Sequence, residues 1–211
     1  MADDRAHSYE PAKGHGLRHD PFNAIVAPRP IGWISSLSAT GIANLAPYSF
    51  FNGFNYMPPI IGFSSIGWKD TVANIEANGE FCWNLATRAL AEAMNLTCSP
   101  APHDISEFDV AGLTRAPSDL VAAPRVLESP VNFECKLTQI VQLQDLAGAN
   151  LETWLIMGQV VKVHIDPALI VDGVYDTASA QPITRAGRMG DYFETRPEAM
   201  FEMRRPGWPL D

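Results

Sequence analysis

Cysteine is scarce in this sequence, and the three present, Cys82, Cys98 and Cys135, are widely spaced. An odd set with no CxxC pair gives no support to a disulfide framework, a zinc ribbon or a redox dithiol, and it suits a reducing cytoplasm. Positive charge is also in short supply. Fifteen basic residues against 24 acidic ones leave a formal charge of −9. No basic stripe is visible, which argues against nucleic acid as a partner and disfavours an anionic membrane surface. No run approaches the ~18 apolar residues of a membrane span. The start, Met-Ala-Asp-Asp-Arg, lacks the basic-then-apolar order of a secretory leader. These absences lead us to expect a soluble cytoplasmic protein.

Several chemical motifs are missing too. There is no GxGxxG following a strand, no GxxxxGK[ST] and no HExxH, and no nucleophile sits in a GxSxG elbow. Gly14-His15-Gly16 lies in a polar stretch that leads into no helix.

What is present fits one sizeable domain. The chain has 211 residues, of which 46% are hydrophobic and 18% charged, enough to bury a substantial core. So few charges also point to a surface partly covered by a second subunit. Residues 1–20 are polar and read as a flexible N-terminal arm, with 21–211 as a single domain. His7, His15 and His19 fall in the arm with no helical pattern to gather them, so no metal site is expected there.

Strand signals begin near Asn23. Ile31 to Leu37 and Ile42 to Ser49 read as two strands joined by a Ser38-Ala39-Thr40-Gly41 turn, with Gly41 supplying positive φ. Ile60 to Ser65 is a further strand. Asp70 is the expected N-cap of a helix running to Ala77 and ended by Asn78-Gly79. Phe81 to Leu85 is a strand, and Arg88 to Leu96 a second helix stopped by Pro100 and Pro102. Ser99 to Pro130 reads mostly as loop. Two long strands follow, Val131 to Leu143 and Thr153 to Ile165, with a turn at Ala147 to Asn150. The tail from Asp166 is irregular. Short strands with tight turns and two interrupting helices predict a mainly β fold, a closed antiparallel barrel with peripheral helices. A doubly wound sheet is not expected, because regular βαβ alternation is absent.

Between Pro21 and Ile75 the only charged residues are Arg29, Lys69 and Asp70. Such a stretch is either core or the lining of a site. It holds Ser35 and Ser36 at a strand end, and then Asn44, Ala46, Pro47, Tyr48 and Ser49. Hydroxyls, an amide, a rigid proline and aromatics suit a flat heterocycle with a phosphate tail. The ring takes an apolar face and a few edge hydrogen bonds; the phosphate takes hydroxyl and amide donors plus a cation. Lys69, Asp70 and Thr71 open a helix whose N-terminal amides favour an anion. Each piece also has an ordinary structural reading: Tyr48, Phe50 and Phe51 as core, Asp70 as a helix cap, the serines as solvated strand residues. Trp33 and Trp68 could be neighbours of such a ring or ordinary core, and core is the preferred reading.

The run PRPIGWISSLSATGIANLAPYSFFNGF, from Pro28, resembles the signature of the flavin reductase-like FMN-binding split-barrel family, which includes flavoredoxin. Further matches follow in order: KDTVANIEANGEFCWNL from Lys69, MNLTC from Met94, Ser106-Glu107-Phe108, SPVNFEC from Ser129 and RAGRMGDYF from Arg185. The resemblance implies a six-stranded antiparallel Greek-key split barrel acting as a homodimer, with FMN near the subunit interface. It places Ser35 and Ser36 near the ribityl phosphate. Asn44, Ala46, Pro47, Tyr48 and Ser49 would then border the isoalloxazine, and Lys69, Asp70 and Thr71 the phosphate. Asn95, Thr97, Arg188 and Tyr192 would add to the site, acting across the dimer. It further implies an oxidoreductase taking hydride from NADH or NADPH onto FMN and passing electrons to free flavin or a partner protein. Two alternatives share the sequence: an FMN-bound electron carrier without NAD(P)H turnover, and a barrel that has lost its cofactor and serves as a binding module.

Overall fold

The computed structural model describes residues 5–206. The first four residues of the expected arm and the last five of the expected domain lie outside them. Seven strands form the main sheet: β1 (Gly32–Leu37), β2 (Ala43–Tyr48), β3 (Phe51–Asn55), β4 (Ile60–Ile66), β5 (Glu80–Asn84), β6 (Val131–Gln144) and β7 (Asn150–Ile165). Their order is β2-β1-β5-β6-β7-β4-β3, and every pairing is antiparallel. The two edge strands, β2 and β3, are consecutive in the chain and joined through Ser49 and Phe50 alone. Opposite edges of a sheet can be linked that briefly only if the sheet rolls until they meet. No ladder joins β2 to β3, so the roll is a split barrel.

The sheet has one strand more than the six expected. The addition is β3, which the sequence hides because an edge strand with one half-buried residue and four exposed ones carries no alternation. Other expectations are corrected as well. The strand signal near Asn23 gives way to a short helix, α1 (Phe22–Ile25), and the nearest strand residues are Arg29–Pro30. Those two pair with Ile183–Arg185, which pairs in turn with Tyr192–Glu194, so the tail is less irregular than its sequence. The second predicted helix is shorter than expected. Thr87 bridges to Pro182 and Arg88 N–H donates to the Gln181 carbonyl, so only Ala91–Leu96 (α3 here, following the nine-residue α2, Asp70–Asn78) is helical.

The Ser38–Gly41 turn forms as expected, with Gly41 at φ 86°. In α2 the cap position is Lys69, with extended backbone, and Asp70 is the first helical residue. Its C-terminus ends on left-handed Gly79, whose N–H reaches the Ile75 carbonyl at 2.8 Å. Thr71, Val72 and Ile75 are buried against the barrel, and Asn78 Nδ2 donates to the Leu37 carbonyl at 2.5 Å.

The absence of charge from β1 and β2 follows from two cores lying on their opposite faces. Ile34 and Tyr48 point inward with Phe63, Val72, Ile75, Phe81 and Ile156. Trp33 and Leu45 point outward, where Met94, Phe108, Leu113 and Val126 cover them. Phe108 belongs to α4 (Glu107–Val110). A strand buried on both faces has no place for a charge. At the barrel centre, Gly158 is required by close approach: a Cβ there would stand 2.4 Å from Phe81 Cε1.

Candidate functional site

At the seam between β2 and β4 the barrel opens into a cleft of about 740 Å³, within the size range of cofactor sites. Edge strand β2 contributes Asn44, Ala46, Pro47 and Tyr48, and its continuation contributes Ser49 and Phe50. Ser64 and Ile66 of β4 form another wall, Trp68 through Thr71 the start of α2, and the segment from Thr97 to His103 the far side. Thus Asn44, Ala46, Pro47, Tyr48, Ser49, Lys69, Asp70, Thr71 and Thr97, far apart in sequence, line one space.

The polar groups are arranged by the fold. Asn44 Nδ2 donates to Thr71 Oγ1 at 2.9 Å, tying β2 to the first turn of α2. Lys69 is exposed and, among the described residues, takes part in no ion pair. Asp70 Oδ1 lies 2.5 Å from His103 Nδ1. Tyr48 is 7% exposed and its phenol has no hydrogen-bond partner. The hydroxyls of Thr71 and Ser65 are its polar neighbours, but neither closes a bond to it. Burial raises the Tyr48 pKa, opposed by those two hydroxyls, so the phenol stays protonated at neutral pH. Glu107, buried at the start of α4, accepts the Leu45 N–H at 2.9 Å. Burial pushes its carboxyl above the ordinary value, with the Leu45 N–H pulling the other way.

The remaining residues singled out in the sequence lie elsewhere. Ser35 and Ser36 are fully buried. Ser35 Oγ donates to the Pro124 carbonyl at 2.6 Å and accepts from Asn84 Nδ2, while Ser36 Oγ accepts from Asn74 Nδ2 of α2 at 3.2 Å. Asn95 borders a separate hollow of about 420 Å³ with Tyr192 and Phe193. Arg188 is exposed, 3.8 Å from Asp191. Arg29, the other cation of the charge-poor stretch, is committed to structure: its guanidinium donates to the carbonyls of Asn23, Val26 and Ala186 and lies over Phe50. Trp33 is core, with its Nε1 donating to Thr97 Oγ1 at 3.0 Å. Trp68 is not core. It is 43% exposed, lines the cleft and packs edge-on against Trp154. A tryptophan directly before the lysine of the helix start was the available signal for a wall residue. Cleft residues that the sequence did not single out include Ser64, Ile66 and His103, which enter only through tertiary packing, while Glu107 stood in a matched run without a site role.

Asp119, Glu134 and His164 form a cluster with one donor atom from each within 4.8 Å, outside the cleft. Its groups satisfy one another. Glu134 accepts from His164 Nε2 and from the N–H groups of Asp119 and Leu120, and Lys162 pairs with Asp119.

A rolled antiparallel sheet with a polar and aromatic cleft at its open seam defines the split-barrel class of proteins. Residues 26–182 match the family described as "Flavin reductase like domain", and the chain belongs to that flavin reductase-like family. It is 35% identical over 189 residues to an uncharacterized protein of Halalkalibacterium halodurans, covering 86% of this chain and 87% of the relative. Among solved structures it is similar to nitrilotriacetate monooxygenase component B from Bacillus cereus, with TM-score 0.82, 28% identity and coverage of 93% and 98% of the two chains. It is also similar to the 2-nitrobenzoate 2-nitroreductase NbaA of Pseudomonas fluorescens, with TM-score 0.78, 28% identity and coverage of 90% and 91%. No helix among the described residues is long and apolar enough to cross a membrane.

Proposed function

We propose that this chain binds FMN in the seam cleft and works as an NAD(P)H-dependent flavin oxidoreductase. The observation that carries this reading is the pairing, in one 740 Å³ space, of a buried, unpartnered Tyr48 hydroxyl with a free ammonium at the start of a nine-residue helix. An unpaired buried hydroxyl costs about 1–3 kcal/mol, and an edge acceptor on a ligand would remove that cost. The donor set also fits the group. Lys69 and the first turn of α2 suit a phosphate, Asn44 and Thr71 are hydrogen-bonding neighbours, and Ala46, Pro47, Phe50, Ile66 and Trp68 give the apolar and aromatic surface a tricyclic ring requires.

When bound, FMN would supply the redox chemistry, accepting a hydride from NADH or NADPH and passing electrons to free flavin or a partner protein. The protein's part is to bind, orient and shield. Tyr48 presents a proton donor that burial keeps un-ionised, Trp68 and Phe50 restrict water, and Lys69 neutralises phosphate charge. Glu107 is held by the Leu45 N–H and Asp70 is paired with His103, so the proposed chemistry draws on no acid–base pair in the cleft. Hydride transfer depends on ring approach rather than on such a pair. The likeness to a protein named as a monooxygenase component favours an acceptor that works alongside this chain. A second copy of the chain is the proposed immediate partner: Ile66 and Trp68 in the cleft are exposed apolar residues, as are Tyr56 and Met57 in the turn between β3 and β4. A cytoplasmic setting accords with three free thiols.

The test is an absorbance spectrum of the purified protein after adding FMN, followed by NADH and then NADPH. Flavin uptake and bleaching by either donor is the expected result. Uptake without bleaching supports an electron carrier; no uptake supports a cofactor-free module and overturns the proposal.

Tyr48→Phe provides a separate check on the site. Removing the orphan hydroxyl should leave the apo protein as stable or about 1 kcal/mol more stable, while weakening FMN a few-fold. Loss of apo stability in thermal unfolding would show that the phenol already has a partner.

A further inference from the structure

We infer that the segment from Thr97 to Ser106 is a strap that selects FMN over FAD, with the His103–Asp70 contact as its latch. This rests on the FMN reading above.

The strap is fixed at both ends by buried hydroxyls. Thr97, 2% exposed, accepts from Trp33 Nε1 and donates to the Met94 carbonyl at 2.7 Å. Ser106, 6% exposed, donates to the Ala43 carbonyl. Between these anchors the chain runs along the cleft, and Cys98, Ser99, Pro100, Ala101 and His103 line it. Pro100 and Pro102 restrict its backbone. Among the described residues one ion-pair contact reaches across to the helix, His103 Nδ1 to Asp70 Oδ1 at 2.5 Å. It falls at the first turn of α2, next to Lys69, where a phosphate would end.

Anything attached beyond that phosphate must leave past the latch. FMN ends in a monophosphate and asks nothing of this exit. FAD continues into a pyrophosphate and an adenosine, so its second phosphate would meet a closed strap and the Asp70 carboxylate. Like charges brought close oppose binding. The latch therefore combines a steric barrier with a charge barrier, both directed at the dinucleotide extension.

The experiment measures dissociation constants of FMN, FAD and riboflavin for the full chain, for His103→Ala and for Asp70→Asn. His103 is exposed, so its replacement leaves the core intact. Wild type should prefer FMN to FAD clearly. Asp70→Asn, which removes the carboxylate and weakens the latch, should narrow that ratio by about fivefold through tighter FAD binding, and His103→Ala, which opens the strap but keeps the carboxylate, should narrow it less, with riboflavin unchanged in both. An unchanged ratio, a narrowing caused only by weaker FMN, or a wild type that binds FAD as well as FMN would each overturn the strap while leaving the FMN site standing. If neither FMN nor riboflavin binds wild type, the functional reading fails and the strap with it.

Discussion

Lys69→Ala is expected to weaken FMN binding by roughly 10- to 100-fold and riboflavin binding hardly at all, because a charge-assisted hydrogen bond is worth about 1.5–3 kcal/mol. The two ligands differ only in the phosphate, so their comparison isolates the ammonium. Lys69 is exposed at the cleft mouth, where water screens charge, so the lower part of that range is the better expectation. For the same reason FMN affinity in the wild type should fall as salt is raised, and less so in the variant. Arg29 cannot substitute, since its guanidinium is held by three backbone carbonyls. Titration of both flavins against wild type and variant decides the matter. Equal weakening of FMN and riboflavin would mean that Lys69 shapes the cleft without meeting the phosphate.

How much of this site can be read from sequence depends on how local its causes are. Lys69, Asp70 and Thr71 were legible because a helix start is a local event, marked by a polar run and closed nine residues later by Asn78-Gly79. The β1–β2 hairpin was legible for the same reason, through Gly41 and alternation. The strap was not. Its prolines announce a loop, but nothing in SPAPHDIS says that His103 will reach Asp70, because that contact depends on α2 and the loop after α3 meeting at one end of the barrel. Trp68 misleads in the opposite way. Large aromatics are commonly core, and this one stands half-exposed because β4 ends just before it. Ser35 and Ser36 show a third limit. Two hydroxyls at a strand end suit a phosphate, yet alternation sends Ser35 to the outer face and Ser36 under α2, where Asn84 and Asn74 meet them.

Glu134 tests the frame that holds the cleft without touching the cleft. Its carboxylate is fully buried in β6 and accepts from His164 Nε2 at 2.6 Å, Asp119 N–H at 2.9 Å and Leu120 N–H at 2.6 Å. It therefore pins the loop around Asp119 to the β6–β7 ladder. Glu134→Ala would strand these donors, and breaking a buried charged network costs about 3–5 kcal/mol. For a chain of this length that is a fall in melting temperature of roughly 6–20 °C. Glu134→Gln keeps one acceptor and should fall between. The pH dependence has a definite sign. Burial alone would raise the Glu134 pKa, but the two backbone N–H groups and His164 outweigh it and hold the carboxyl below its ordinary value. Its contribution is then fully present above the unfolded glutamate pKa of about 4.3. It is lost as pH falls through that value toward the folded one. Wild type should accordingly lose stability on acidification more steeply than Glu134→Gln, and the two melting curves should converge at low pH. Asp119, Glu134 and His164 do not line the cleft, so FMN affinity measured well below the melting temperature should be unchanged in Glu134→Gln. A variant that melts like wild type at neutral pH would remove the network from the account of stability, and one that loses FMN while still folded would show that the loop it pins reaches the cleft.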